Sequence, residues 1–133
     1  MALLTWYDSF SVGIEKIDDQ HKKFFELVND VYSAMETNKG SAAIDQILKE
    51  LQDYVVYHFN TEESWMETCN YPEIEDHRRI HREAVMEVNK LILQYQQVKK
   101  EILFDLLKFL SDWIRRHILE IDRKYIPYLQ KDA

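Results

Sequence analysis

Four stretches of this sequence repeat apolar residues at steps of three and four, and almost nothing interrupts them. The first stripe runs through Ile17, His21, Phe24, Phe25, Val28, Val31, Tyr32 and Met35, and the second through Ile44, Ile47, Leu48, Leu51, Tyr54, Val55, His58, Glu62 and Trp65. The third holds Ile74, His77, His81, Ala84, Val85, Val88, Leu91 and Ile92, and the fourth Leu103, Leu106, Leu110, Trp113, Ile114 and His117. That period demands α-helices with one face turned to a core. A β-rich chain of 133 residues would need far more turn residues than two glycines and two prolines.

The punctuation sets the expected boundaries. Asp18 or Asp19 can cap the first helix, and Asn38-Lys39-Gly40 ends it. The second is expected from about Ser41 to Met66, broken by Cys69-Asn70-Tyr71-Pro72, the third from about Glu73 to Tyr95, and the fourth from about Lys100 to Ile121. The expected architecture is all-α, one domain over residues 1–133, an up-down-up-down four-helix bundle. Residues 1–17, with Trp6, Tyr7, Phe10 and Gly13, read as an irregular N-terminal arm, 18–122 as the bundle and 123–133 as a C-terminal tail.

Polar residues stand out on these apolar faces. All five histidines, His21, His58, His77, His81 and His117, fall on the stripes, and so does Glu62. A buried carboxylate is costly unless it is paired or holds a metal. His21 is near the start of the first helix, His58 and Glu62 near the end of the second, His77 and His81 near the start of the third, and His117 and Asp122 at the end of the fourth. In an up-down bundle those ends share one pole. His58 and Glu62 share a helix face, as do His77 and His81. His117 and Asp122 are five apart and point about 140° from each other on a regular helix. A π-bulge or an unwound last turn is therefore expected there.

Five imidazoles and two carboxylates are too many for one tetrahedral zinc. With both carboxylates bridging, seven side chains supply nine bonds. Two octahedral ions need twelve, and an oxo or hydroxo bridge adds two, which leaves one open position. Nitrogen and oxygen donors without thiolate suit iron or manganese, and the richness in histidine tilts the choice to iron.

The net charge of −7 argues against a nucleic-acid partner. Arg78, Arg79 and Arg82 cluster among acidic residues and read as a solvated helix face. The single cysteine, Cys69, forms no internal disulfide, no secretory leader is visible, and no stretch reaches the length of a membrane span. A cytoplasmic setting is expected.

The same residues resemble the hemerythrin family, in particular its single-domain bacterial members. The segment from Trp6 through Asp18-Asp19-Gln20-His21 looks like the family's opening. His58-Phe59-Asn60-Thr61-Glu62 matches its H-x-x-x-E, His77-Arg78-Arg79-Ile80-His81 its H-x-x-x-H, and His117-Ile118-Leu119-Glu120-Ile121-Asp122 its H-x-x-x-x-D. Tyr71-Pro72 sits at the corresponding turn, and the resemblance covers essentially the whole chain. It implies two iron ions joined by an oxo or hydroxo group. His77, His81 and His117 would hold the saturated iron, His21 and His58 the iron with the vacancy, and Glu62 and Asp122 would bridge them. It further implies that dioxygen takes the vacancy reversibly, each ferrous ion giving one electron.

Reversible binding needs a dry cavity. Phe24, Phe59, Trp113, Ile114 and Ile118, close to the ligands in sequence, are expected to line it. The expected function is oxygen carriage, storage or delivery by a protein that is not an enzyme, its protein partner undetermined. The alternatives are a di-iron enzyme acting on peroxide or nitric oxide, an oxygen sensor working with a separate partner, and a structural zinc bundle. Neither the HExxH zinc motif nor paired Glu-x-x-His motifs occur.

Overall fold

Each apolar stripe forms one face of a long helix. The computed structural model describes residues 3–37, 40–98 and 100–131, with α1 at Glu15–Glu36, α2 at Ser41–Thr68, α3 at Ile74–Val98 and α4 at Lys100–Arg116. A π-turn, His117–Ile121, and a 3-10 turn, Asp122–Lys124, follow α4, and a short α5 spans Ile126–Lys131. No strand occurs among the described residues. Helix α1 packs on α2, α2 on α3, α3 on α4, and α4 back on α1, the closed ring of an up-down-up-down bundle. Phe24, Val28, Val31, Leu51, Leu103, Leu106 and Ile114 are fully buried between them. Each such side chain contributes roughly 1.5–3 kcal/mol.

Several boundaries differ from those the sequence suggested, among them the end of α3, at Val98 where about Tyr95 was expected. Helix α1 starts at Glu15, before both aspartates, and Ile14 occupies its N-cap without a side-chain hydrogen bond. Asp18 lies in the first turn and ties down the arm instead: it accepts from the Val12 N–H at 2.9 Å and from the Ser11 hydroxyl. The Asn29 side chain secures the chain further back, accepting from the Leu4 N–H and donating to the Leu4 carbonyl, both at 2.8 Å. Part of the arm is a 3-10 turn, Asp8–Phe10, and Phe10, Trp6 and Phe25 pack ring on ring with centroids 5.1–5.7 Å apart. Irregular apart from that turn, as expected, the arm is a packed cover on α1.

At the other end, Asn38 and Lys39 lie outside the described residues. Helix α2 runs to Thr68, beyond Met66, and closes with Asn70 at φ 54°. The Tyr71 N–H returns to the Met66 carbonyl at 3.0 Å and the Asn70 N–H to Glu67 at 3.1 Å, a Schellman closure in which asparagine tolerates the left-handed position. Beyond Asp122 the C-terminal tail holds Tyr125, which is fully buried, and then the short α5.

Candidate metal centre

The π-turn delivers the residue that a regular helix would have turned away. The Asp122 N–H bonds to the His117 carbonyl, five residues back, and this wider loop brings Asp122 round to the inner face. Its Oδ1 lies 2.9 Å from His117 Nε2, and Asp122 is fully buried. The expected irregularity is therefore present at the residues where it was expected.

All seven predicted donors meet at this pole. His21, His58, Glu62 and Asp122 are fully buried, and His77, His81 and His117 nearly so. Their inward atoms face one another. His77 Nε2 and His81 Nε2 lie 3.1 and 3.2 Å from His117 Nε2. Asp122 turns Oδ1 towards His77, at 3.2 Å, and His117, and Oδ2 towards His21, also at 3.2 Å. Glu62 Oε1 lies 3.1 Å from His58 Nε2 and 3.6 Å from His81 Nε2. Both carboxylates thus stand between one set of imidazoles, His21 and His58, and another, His77, His81 and His117. Two overlapping clusters capable of holding a cation result: His21, His58 and Glu62, and Glu62, His77, His81, His117 and Asp122.

The donors also fit a metal by what they lack. His21 Nε2, His58 Nε2, Glu62 Oε1 and both oxygens of Asp122 are buried without a hydrogen-bond partner. Buried polar atoms are rarely left so, and two buried carboxylates are strongly unfavourable without compensating positive charge. In the protein alone, imidazole protons fill part of that role. Burial pulls His21 down, but the nearby carboxylates of Asp122 and Glu62 outweigh it and raise it to about 9. Burial likewise opposes the charge on His77, and Asp122 reverses the sign and raises it. His81, where burial wins, is lowered. Burial and Asp122 push Glu62 upward, but His58 and His21 hold it below its ordinary value, and His117 does the same for Asp122 against burial. Cations replacing those protons would satisfy every inward atom.

Sequence reasoning missed three supporting residues. His58 Nδ1 lies 2.8 Å from Gln20 Oε1, and His81 Nδ1 lies 2.9 Å from Glu63 Oε2. Each contact holds the outer nitrogen as a donor and leaves Nε2 as the inward donor atom. Arg78 in turn reaches Glu63 at 3.5 Å and pairs with Glu67 and Glu75. The third, Tyr125, donates from its hydroxyl to Glu62 Oε2 at 2.8 Å. Gln20 and Glu63 adjoin the motifs and could have been suspected, whereas nothing local marks Tyr125.

The five apolar residues expected to line a pocket divide by position. Phe24 meets His58 edge-on at a centroid distance of 6.2 Å. Phe59 stands between both imidazole sets, 6.0 Å from His58 and stacked on His81 at 4.0 Å. Trp113 stacks on His117 at 4.2 Å and is half-buried, lining an open groove of about 470 Å³ between α3 and α4. Ile114 and Ile118 are fully buried.

The hemerythrin HHE cation binding domain matches residues 12–129. The bacteriohemerythrin of Stenotrophomonas maltophilia is 35% identical over 94% of this chain and 80% of its own length. That of Clostridium acetobutylicum is 31% identical over 93% and 99%. A crystal structure of wild-type hemerythrin superposes with a TM-score of 0.87 at 32% identity, covering 96% of this chain and 98% of the other. A domain match across nearly the whole bundle, with a cation site's donors in place, makes this chain a member of the hemerythrin family.

Proposed function

We propose that the protein binds dioxygen reversibly at a pair of iron ions, for oxygen carriage, storage or delivery, and is not an enzyme. The observation that carries the reading is the seven-donor cluster, buried throughout and split into a three-imidazole and a two-imidazole side with both carboxylates between them. Bound there with an oxo or hydroxo bridge, an iron pair supplies two electrons to dioxygen and recovers them on release. In this reading His77, His81 and His117 hold one ion, His21 and His58 the other, and Glu62 and Asp122 span both. With fewer imidazoles, the His21 and His58 side would be the one with room for dioxygen, and Phe24 packs edge-on against His58 there.

The surrounding side chains support binding over catalysis. Gln20 and Glu63 fix two of the imidazoles. Phe24, Phe59, Ile114 and Ile118 keep water from the buried donors, which protects bound oxygen from release as peroxide. One acidic hydrogen does reach the site, on Tyr125. Burial holds that phenol well above its ordinary value, with Glu62 and Asp122 adding to the effect, so it keeps its proton as long as it is not oxidised. No helix among the described residues is long and apolar enough to cross a membrane. The reading places the protein in the cytoplasm, supported by its single cysteine.

The test is elemental analysis with optical spectroscopy of iron-loaded, reduced protein cycled between air and argon. The expected result is two irons per chain and a charge-transfer band that appears in air and vanishes under argon. Stoichiometric zinc in the native protein, or a spectrum that changes once and never returns, overturns the reading; irreversible oxidation with peroxide turnover points to an enzyme instead.

A further inference from the structure

Three tyrosines lead from the metal centre to the surface on the side of α5. Tyr125 is fully buried and donates to Glu62. Its ring meets that of Tyr71 edge-on, with centroids 6.2 Å apart, and Tyr71 meets Tyr128 in the same way at 5.2 Å. Tyr71 is buried, whereas Tyr128 is 39% exposed. We propose that Tyr125, Tyr71 and Tyr128 form a conduit that carries oxidising equivalents from the metal centre to solvent and so spares the ligands. The proposal rests on the di-iron reading above.

The electron count sets when the row is needed. Hydrogen peroxide takes up two electrons and two protons to become two waters. A fully reduced iron pair supplies both electrons, but a half-oxidised pair supplies only one. The second then comes from Tyr125, whose O–H bond breaks: the electron goes to the centre, and the proton moves along the hydrogen bond towards Glu62 and is consumed, with one proton from solvent, in forming water. Tyr71 then passes an electron to Tyr125, which takes up a proton from solvent by way of Glu62, while the Tyr71 proton moves to Glu73; Tyr128 passes an electron to Tyr71, which recovers that proton, and loses its own proton to water, so the oxidised phenol stands at the surface within reach of solution reductants.

Proton acceptors single out this row. A phenol gives up an electron readily only where its proton has somewhere to go. Tyr125 has Glu62, Tyr71 donates to Glu73 Oε2 at 3.3 Å, and Tyr128 has water. A second aromatic row leaves His58 through Tyr54, 6.1 Å away, to exposed Tyr57, a further 5.8 Å. There, however, the Tyr54 hydroxyl donates to the Gln20 backbone carbonyl, which is a poor base.

The test treats half-oxidised, iron-loaded protein with hydrogen peroxide, follows radicals by freeze-quench electron paramagnetic resonance, and locates oxidised residues by peptide mass spectrometry. The expected result is a tyrosyl signal with products concentrated on Tyr128. Tyr125→Phe, which keeps the ring, should cut those products at least tenfold at unchanged iron content, while Tyr54→Phe should leave them as they are. Should Tyr125→Phe lose iron, Tyr71→Phe decides: products must then stop at Tyr125. Iron present with an unchanged Tyr128 pattern in the deciding variant, or products centred on Trp113 or Tyr57, overturns the conduit alone. Absence of iron from the native protein by elemental analysis overturns the di-iron reading, and the conduit with it.

Discussion

Glu62 makes four polar contacts within the centre. It faces His58 and His81, lies 3.9 Å from His21, and accepts from Tyr125. Glu62→Ala removes a negative charge that two cations need and leaves the Tyr125 hydroxyl buried without a partner. Metal content and melting temperature are expected to fall together, by elemental analysis and calorimetry; a variant keeping both irons and its melting temperature would show that Glu62 is not a bridge. Ile114 tests the apolar shell. It is fully buried and three residues before His117, one turn away on the same helix face. Ile114→Ala should cost roughly 2–5 kcal/mol of stability. It should also hasten conversion of the oxygenated protein to the ferric form, because water gains access. The half-life of that conversion well below the melting temperature separates the roles: if it stays unchanged while stability drops, Ile114 is packing only.

At the scale of elements, the segment from His117 to Lys124 is the irregular one. It departs from α geometry twice in succession, first as a π-turn and then as a 3-10 turn. Both ends of the π-turn, His117 and Asp122, belong to the cluster that could hold a cation. Without metal, nothing but imidazole protons compensates Asp122, so this segment should open more often than the neighbouring helix. Amide hydrogen exchange of the metal-free protein is expected to be faster across 117–124 than across Leu103–Leu110, with the difference shrinking on metal loading. A difference that persists in the loaded protein would mean that the turn is not clamped by its ligands. The same segment leads into Tyr125 and α5, so the turn that presents Asp122 also seats the phenol on Glu62.

Among the described residues, the buried histidines and carboxylates gather at one pole, and the rest of the interior is apolar apart from Ser111. Metal loading should therefore stabilise the entire fold, since a ligand that binds only the folded state raises its stability. Each kcal/mol gained should raise the melting temperature by about 4 °C. The pH dependence has a definite sign. His21 in the metal-free protein is raised to about 9, above its unfolded value of about 6.5. Its contribution is complete below that unfolded value and is lost as pH rises through about 9. Calorimetry of the metal-free protein should show the His21 contribution fading over that interval, while the loaded protein, whose imidazoles are neutral, lacks this dependence. Loading at neutral pH in weak buffer should release protons; no release would indicate that His21 keeps its proton and binds no metal.

The sequence by itself determined the helices and the six polar residues, five histidines and Glu62, on their buried faces, because both are periodic. A stripe at steps of three and four reports a buried face, and a histidine or glutamate on that stripe reports a buried polar group wherever the helix packs. Even the irregularity between His117 and Asp122 was legible, since a spacing of five cannot share a face on an ordinary helix. What only the tertiary structure decided is what lies across the chain from those stripes. Asp18 reads locally as a cap, yet it is spent on the arm, because Ser11 and Val12 fold back over the first turn. Tyr125 carries no local mark, since its partner Glu62 is 63 residues away and reaches it only when α5 returns to the metal pole. Helix periodicity records which way a side chain faces; which group it meets is set by the packing of distant segments, and a one-dimensional pattern does not contain it.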